Sequence, residues 1–275
     1  MQEQARGILR KMSARLEAPV DYSLRLGAQF VPANALIGKP LTLYFTGDIY
    51  CVNCARKTNK SFNQGFCYPC FQKLAACDSC IVHPERCHFD QGTCREPAWG
   101  EQFCLQDHIV YLANSSGLKV GITRATQVPT RWIDQGATQA LPIMRVRSRL
   151  QSGAVEVAFK QHVADKTNWR DMLKGTAEPI DMESERDRLV ADCSEEMEAL
   201  RENFGDFALS AINGVDTIEI QYPVTAYPEK IASHNFDKEA TVAGTLLGIK
   251  GQYLIFDTGV INLRRFSGYE IAASF

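Results

Sequence analysis

Four cysteines in the first quarter of the chain have the spacing of metal ligands. They lie in the stretch CVNCARKTNKSFNQGFCYPC, which contains two C-x-x-C pairs separated by twelve residues: Cys51, Cys54, Cys67 and Cys70. A C-x-x-C pair presents two thiolates from one backbone turn, and two such pairs complete the tetrahedral shell that structural Zn²⁺ prefers. We therefore predict a structural zinc held by these four thiolates.

A second set of thiols follows directly and predicts at least one further zinc. Cys77 and Cys80 form another C-x-x-C pair. The remaining pairing stays open, because eight groups that include His83 and His88 can be shared between two sites in several ways. The predicted ligands of this second set are Cys77, Cys80, Cys87, Cys94, Cys104 and His108, of which the last two have a workable C-x3-H spacing.

Nine of the ten cysteines lie between Cys51 and Cys104. In a chain whose opening residues MQEQARGILRKMSARLE carry charges where a signal peptide needs an apolar core, this clustering indicates metal binding in a reducing compartment rather than disulfides. The apolar runs are far shorter than the roughly 18 residues of a membrane-spanning helix. We expect a cytoplasmic protein of ordinary globular composition that does not enter a membrane.

The cations are unevenly distributed, although the net charge is only −2. Residues 55–75 carry four cations and no acid, and residues 118–149 carry six cations against one acid, Asp134. A local excess of positive charge is typical of surfaces that bind the phosphate backbone of DNA or RNA. The cations that we predict to bind nucleic acid are Arg56, Lys57, Lys60, Arg124 and Arg131.

Residues 178–206 have the opposite balance, with eleven acids and three arginines. Apolar residues recur there at helical spacing, so we predict one long amphipathic helix whose charged face is solvated.

The elements that must position these residues predict an α+β protein. A zinc-binding knuckle region precedes a compact core with the order strand, turn, strand, helix, strand, helix. On either side we expect small β-barrel-like strands, with a short helical stretch at the start, and the two sets of strands can pair with each other. The predicted segments are 1–50 (N-terminal β segment), 51–108 (zinc region), 109–175 (core), 176–206 (acidic helix) and 207–275 (C-terminal β module).

The stretch IVYLANSSGLKVGITRATQVPTRWIDQG, followed by AVEVAFKQHV, resembles the GIY-YIG nuclease superfamily, in its shorter branch whose second triplet reads KIG or KVG. Ile109-Val110-Tyr111 stands where the first triplet stands and Lys119-Val120-Gly121 where the second stands. Arg131 matches the helix arginine and Glu156 the metal-binding glutamate. With CYPCF, GTCREPAWGE and LKVGITRATQVPTRWIDQGA, the whole chain is also similar to a bacterial family, the domain of unknown function numbered 2797.

The nuclease resemblance implies a catalytic set of Tyr111, Lys119, Arg131 and Glu156. Glu156 would hold one Mg²⁺ or Mn²⁺, the tyrosine side would activate a water, and Arg131 would neutralise the charge that develops on phosphorus. Lys119 replaces the second tyrosine of the family pattern, and an ammonium binds phosphate more readily than it relays a proton.

Three functions remain open at this point. The protein can be a metal-dependent nuclease whose zinc knuckles grip the substrate. It can also be a non-catalytic nucleic-acid-binding protein on a degenerate nuclease fold, or a zinc-stabilised adaptor that binds another protein. The cationic segments favour the first two.

Overall fold

The computed structural model describes residues 3–164 and 166–275. Its strands form two antiparallel sheets. In chain order the strands are β1 (Ala5–Arg15), β2 (Asp21–Leu26), β3 (Gln29–Pro32), β4 (Pro40–Tyr50), β5 (Lys57–Thr58), β6 (His108–Asn114), β7 (Leu118–Arg124), β8 (Gln139–Val146), β9 (Leu209–Ala211), β10 (Ile218–Glu219), β11 (Thr241–Lys250), β12 (Tyr253–Phe256), β13 (Gly259–Asn262) and β14 (Tyr269–Ser274).

Helices lie mostly in the middle of the chain. In order they are α1 (Tyr68–Lys73), α2 (Pro97–Phe103), α3 (Thr130–Asp134), α4 (Arg149–Phe159), α5 (Trp169–Met172), α6 (Met182–Asp192) and α7 (Ser194–Phe204). Short 3-10 turns punctuate the zinc region, and a further one, Leu263–Phe266, precedes the last strand. Over residues 3–164 and 166–275, no helix combines the length and apolar character needed to cross a membrane.

The strands of the two chain ends belong to one sheet. Its nine strands follow the order β13-β12-β11-β4-β14-β1-β2-β3, with β5 added to β4. The pairing is antiparallel, and it sets Ala5 opposite Ala273 and Leu43 opposite Val242. The predicted barrel-like arrangement is therefore wrong, since this order runs from one edge strand to the other as an open sheet. N- and C-terminal strands nevertheless interleave, so neither end forms a sheet alone.

The first segment also differs from its prediction, because residues expected to start as a helix form β1. Leu9 and Met12 are fully buried at a spacing that resembles a helix. A register shift between Arg10 and Ser13 produces this spacing, since an irregularity in a strand changes which side chains face the core. Pairing with β14 on one part and β2 on the other thus outweighs local helix propensity.

The second sheet has β6 at its centre, paired with β7 on one side and β8 on the other. All seven residues of β6 are buried. Tyr111 packs in one hydrophobic core together with side chains of the nine-stranded sheet. Val110 and Leu112 pack in a second core together with side chains of α4, α6 and α7. The sheet is therefore covered on both faces, which explains the nearly continuous apolar run of β6.

The acidic segment forms two helices instead of the one predicted. Cys193 separates α6 from α7 with φ −104° and ψ 18°, and its thiol is buried against the carbonyl of Ala158. The backbone still bonds across the break, from Met197 N–H to the Cys193 carbonyl at 2.9 Å. The break lets the apolar faces of both helices reach the same core.

The zinc region docks on the N-terminal half of α4. A Cβ on Gly153 would lie 2.4 Å from the backbone nitrogen of Glu85, so only glycine permits this approach. Arg149 reaches across the contact, and its guanidinium donates to the carbonyl of Ile81 at 2.5 Å. The metal-binding segment and the core are thus one packed unit at this surface.

Candidate metal centre and candidate phosphodiester site

The four cysteines predicted to bind zinc converge. The Sγ atoms of Cys51, Cys54, Cys67 and Cys70 all lie within 4.8 Å of one another. Cys51 and Cys54 lie in the turn that follows β4. Cys67 and Cys70 lie at the start of α1. This donor set of four cysteine sulfurs within reach of one ion fits structural Zn²⁺. A possible zinc-binding cluster is therefore present where the spacing placed it.

Backbone N–H groups around this cluster lower the pKa of one of its thiols. Burial raises the pKa of the Cys51 thiol, but hydrogen bonds from the backbone N–H groups of Cys54, Cys67 and Asn53 outweigh it and lower that pKa to about 6. The side-chain amide of Asn53 also donates to the sulfur of Cys70 at 3.5 Å. At Cys51 such N–H donors stabilise the thiolate form that a metal requires. At Cys70 the Asn53 amide lowers the pKa, but burial and the neighbouring thiols outweigh it and raise that pKa to about 12.

A second group of thiols lines a small cavity of about 10 Å³. Cys80 and Cys104 are buried there, and Trp99 and Phe89 close it. Around the same cavity Asp78, Cys80 and His88 place ligand atoms within 4.8 Å of one another. The cysteines that line it are Cys80, Cys87, Cys94 and Cys104.

Two of the predicted ligands lie outside this cavity. Cys77 is beside the first cluster, where burial raises its pKa and Asn63 donates a hydrogen bond to it. His108 begins β6, and its Nδ1 bonds the carbonyl of Gln106 at 2.7 Å. Its Nε2 is buried, and no partner for it lies within the described residues. Cys80 therefore lines this cavity without Cys77, its predicted C-x-x-C partner. Cys104 lines it without His108, its predicted C-x3-H partner.

The tyrosine and glycine of the two triplets are opposed across the hairpin. Tyr111 in β6 pairs directly with Gly121 in β7. A Cβ on Gly121 would lie 2.6 Å from the Tyr111 hydroxyl oxygen, so glycine leaves the space in which the tyrosine ring lies. The ring is fully buried and meets Trp132 of α3 edge-on at 5.9 Å.

Tyr111, Lys119 and Arg131 are linked around the side chain of Gln135. The Gln135 Nε2 donates to the Tyr111 hydroxyl at 3.0 Å, and its Oε1 accepts from the Lys119 Nζ at 2.5 Å. Lys119, only 6% exposed, also donates to the hydroxyl of Thr167 at 2.7 Å. Burial raises the pKa of Tyr111, while the nearby Arg131 charge and the Gln135 hydrogen bond oppose that rise. The tyrosine is therefore a neutral phenol at physiological pH.

Glu156 lies on α4, close enough that its charge raises the pKa of Tyr111. It is half-buried, whereas Arg131 is exposed on α3. β6, β7 and α3 thus bring Tyr111, Lys119 and Arg131 together around Gln135 and the Tyr111 hydroxyl, and the charge of Glu156 on α4 acts on the same hydroxyl. The arrangement combines a neutral hydroxyl, two cations and a carboxylate, which can bind an anion and a cation side by side.

The cations predicted to bind nucleic acid are in different environments. Arg56, Lys57 and Lys60 are exposed beside the first cluster, and Lys57 pairs with Asp48 at 2.6 Å. Arg124 is half-buried over the ring of Phe103 at 4.9 Å, and burial lowers its pKa. The knuckle cations are thus accessible, whereas Arg124 is packed against the zinc region.

The aromatic side chains of the first knuckle loop pack together. Phe62 stacks on Phe71 at 5.6 Å and tilts against Tyr68 at 5.4 Å. Tyr68 is half exposed, so it presents an aromatic edge beside the cations.

Gln135 is the residue of the site that the sequence does not single out as functional. A glutamine at the end of a short helix carries no chemical signature of its own. The only signal is positional, since it follows Arg131 by four residues and therefore lies on the same face of α3. Thr167 has no such signal, because its contact with Lys119 depends on the chain returning after α4.

A cavity of about 520 Å³ lies elsewhere. It is lined by the β6–β7 turn and by residues 171–180, and includes neither Tyr111 nor Arg131. Its charged lining residues are Asp171, Lys174 and Glu178, none of which belongs to the catalytic set that the sequence predicts.

A comparison with family models matches residues 38–271 to the family described as "Protein of unknown function (DUF2797)". No curated protein and no solved structure matches the chain.

Proposed function

Since the chain belongs to the DUF2797 family, whose description names no activity, we propose its function from the residues: a zinc-stabilised protein that binds nucleic acid and cleaves its phosphodiester bonds. One observation carries the proposal. Gln135 links the Tyr111 hydroxyl to the Lys119 ammonium, and the charges of Arg131 and Glu156 both act on that hydroxyl.

Arg131 binds the phosphate in this proposal. Its side chain is exposed and hydrogen-bonds the buried Tyr111 hydroxyl, so an anion can approach Arg131 from solvent while the tyrosine holds the guanidinium in place. A planar guanidinium donates two parallel hydrogen bonds to phosphate and stabilises charge that develops on its oxygens.

Tyr111 positions Arg131 rather than removing a proton from water, because its ring and hydroxyl are fully buried. Its burial keeps the phenol neutral, and Gln135 donates to its oxygen. Lys119 donates to the Oε1 of Gln135, which fixes the position of the glutamine beside Tyr111 and Arg131.

Glu156 supplies the carboxylate for a divalent cation. One protein carboxylate with substrate phosphate oxygens and waters is a normal environment for Mg²⁺, so the residue fits this role. When bound, the ion supplies Lewis-acid polarisation of the phosphate.

Zinc has a structural role in the proposal, at two centres. The first is held by Cys51, Cys54, Cys67 and Cys70, and the second by the four cysteines of the small cavity, with Asp78 and His88 beside them. The region has little apolar core of its own, so metal ligation provides its folding free energy. The first centre then presents Arg56, Lys60 and Tyr68 to the nucleic acid.

Lys119 favours a second candidate, a non-catalytic nucleic-acid-binding protein. Its ammonium is used internally, by Gln135 and Thr167, in the position where the family pattern has a tyrosine. A protein that kept the cationic surface and lost the second phenol would bind without cleaving.

Glu156→Gln separates the two candidates. For a nuclease, the variant should abolish Mg²⁺-dependent cleavage of labelled DNA and RNA while binding stays nearly intact, because only the metal ligand is lost. For a binder, it should leave binding unchanged or tighten it, since a carboxylate beside phosphates is removed. Arg131→Ala should weaken both activities in either case.

The matched control is Glu195→Gln, which removes one exposed carboxylate on α7, remote from the site in sequence. It should behave as wild type in every assay. A zinc-loaded wild-type protein that neither cleaves nor binds single- or double-stranded DNA or RNA at low salt would defeat both candidates and leave the protein-binding adaptor.

A further inference from the structure

Three parts of the molecule meet at the side chain of Gln252, in the turn between β11 and β12. Its Oε1 accepts from the N–H of Met12 in β1 at 2.9 Å, and its Nε2 donates to Asp134 in α3 at 2.9 Å. The backbone carbonyl of Gln252 accepts from the N–H of Leu263 at 2.9 Å. Gln252 is only 2% exposed, so these bonds fix β1, α3 and the 3-10 turn 263–266 in one buried junction.

The junction brings together two arginines from different parts of the fold. Arg131 precedes Asp134 by three residues in α3 and so lies on the same helix face. Arg264 directly follows Leu263. Its Nε donates at 2.7 Å to Gln64, which lies between the two cysteine pairs of the first zinc centre. Arg264 is therefore held by the zinc region at the place where the C-terminal strands meet α3.

The two guanidinium charges are incompletely compensated. Burial lowers the pKa of Arg264, the positive charge of Arg131 lowers it further, and Asp134 opposes both. Asp134 is itself engaged by the ammonium of Lys11 and by Gln252. Holding two like charges near each other in a half-buried place costs folding free energy, and a bound anion would relieve that cost.

We infer that Arg131 and Arg264 together bind one backbone phosphate of a nucleic acid at this junction, so that Arg264 positions the substrate for the site at Tyr111. The inference rests on the proposed function and adds a residue from the C-terminal strands to it. Two planar guanidinium groups carried by different elements beside one junction match the oxygens of a phosphodiester, which neutral side chains do not.

The next residue in the chain provides a matched control. Arg265 is exposed, lies over the ring of Phe266 at 5.4 Å and is 3.8 Å from Asp237. Arg264→Gln and Arg265→Gln therefore remove the same charge from adjacent positions in different environments.

Binding of fluorescent oligonucleotides is measured by anisotropy over about 50 to 200 mM salt, with zinc content and thermal midpoint recorded for each variant. Arg264→Gln should weaken binding and reduce the slope of log affinity against log salt by about one, while Arg265→Gln should retain the wild-type slope. Combined with Arg131→Ala, Arg264→Gln should add less than its single effect, because both residues serve one phosphate.

If Arg264→Gln does not fold, Arg264→Lys takes its place. It should keep the salt slope but bind more weakly, since lysine lacks the planar fork. Wild-type affinity in the folded Arg264 variant, alongside weakened binding by Arg131→Ala, overturns this inference and leaves the proposed function intact. A wild-type protein that binds no oligonucleotide defeats the proposed function and this inference together.

Discussion

At the scale of single residues, the candidate site depends on Gly121 having no side chain. Tyr111 can lie across the hairpin only because its cross-strand partner is Gly121. The second triplet therefore contributes two things: the side chain of Lys119, and at Gly121 the space that the Tyr111 ring occupies. The hydroxyl that results from this packing is the atom that Gln135 and Arg131 contact.

Gly121→Ala should consequently disturb both stability and the site. The added methyl would overlap the Tyr111 ring at 2.6 to 2.7 Å, and this buried ring has no space to move aside. We expect a loss of about 1–3 kcal/mol in the free energy of unfolding, as for other overpacked cores, measured by urea denaturation. Gly175→Ala is the control, because its Cβ would meet nothing within 4 Å. Equal stability of the two variants would show that the tyrosine is not held as described.

Residue types and spacing predicted the first cysteine cluster because its members are local in the sequence. Each C-x-x-C pair closes on itself, so only one further contact between pairs is required. The second set could not be resolved in the same way. Its cysteines lie in or beside separate short turns and at the end of α2, and their convergence depends on how these segments pack on α4 and around Trp99. Gln135 and Arg264 were missed for a similar reason, since both acquire a role only through tertiary contacts.

At the scale of elements, zinc should substitute for the core that residues 51–104 lack. We expect at least two zinc ions per chain by elemental analysis of protein purified without chelator. Cys94→Ser should remove one ion and lower the thermal midpoint, because ligation free energy is folding free energy. Cys77→Ser should retain both ions, since Cys77 lies outside the second cavity. One ion or none in the wild type, or loss of an ion in Cys77→Ser, would contradict this assignment.

The elements that the sequence mispredicted share a cause. β1 has a helix-like burial pattern because of its register shift, and the acidic segment has a continuous helical pattern although it breaks at Cys193. In both, the hydrophobic periodicity is real, but the partner surface decides how the backbone satisfies it. β6, β7 and α4 were predicted better, since a hairpin and an amphipathic helix are specified by short-range patterns.

At the scale of the whole molecule, the chain ends and the middle are joined through buried polar side chains. Lys250, the last residue of β11, is fully buried. It donates at 2.8 Å to the carbonyl of Gly175, and the rings of Tyr222 and Tyr227 lie 5.5 and 5.4 Å from its ammonium. A single cation thus connects the large sheet to the segment that follows the core.

Burial of this cation makes a pH-dependent contribution to stability. It lowers the pKa of Lys250 from 10.5 to about 8. Between these two values the unfolded chain binds more protons than the folded protein, so the free energy of unfolding should rise with pH in that window. Below about pH 8 the lysine is charged in both states, and the cost of burying the charge is fully present.

Lys250→Met removes this titration and tests it. The difference in unfolding free energy between wild type and Lys250→Met should shift in favour of wild type by about 2 kcal/mol from pH 7 to pH 9.5, measured by urea denaturation at each pH. Lys238→Met, at an exposed lysine, should leave the pH dependence of the wild type unchanged. A difference between wild type and Lys250→Met that stays constant with pH would mean that Lys250 is not desolvated, and that the large sheet is joined to the segment after the core by contacts other than this buried ammonium.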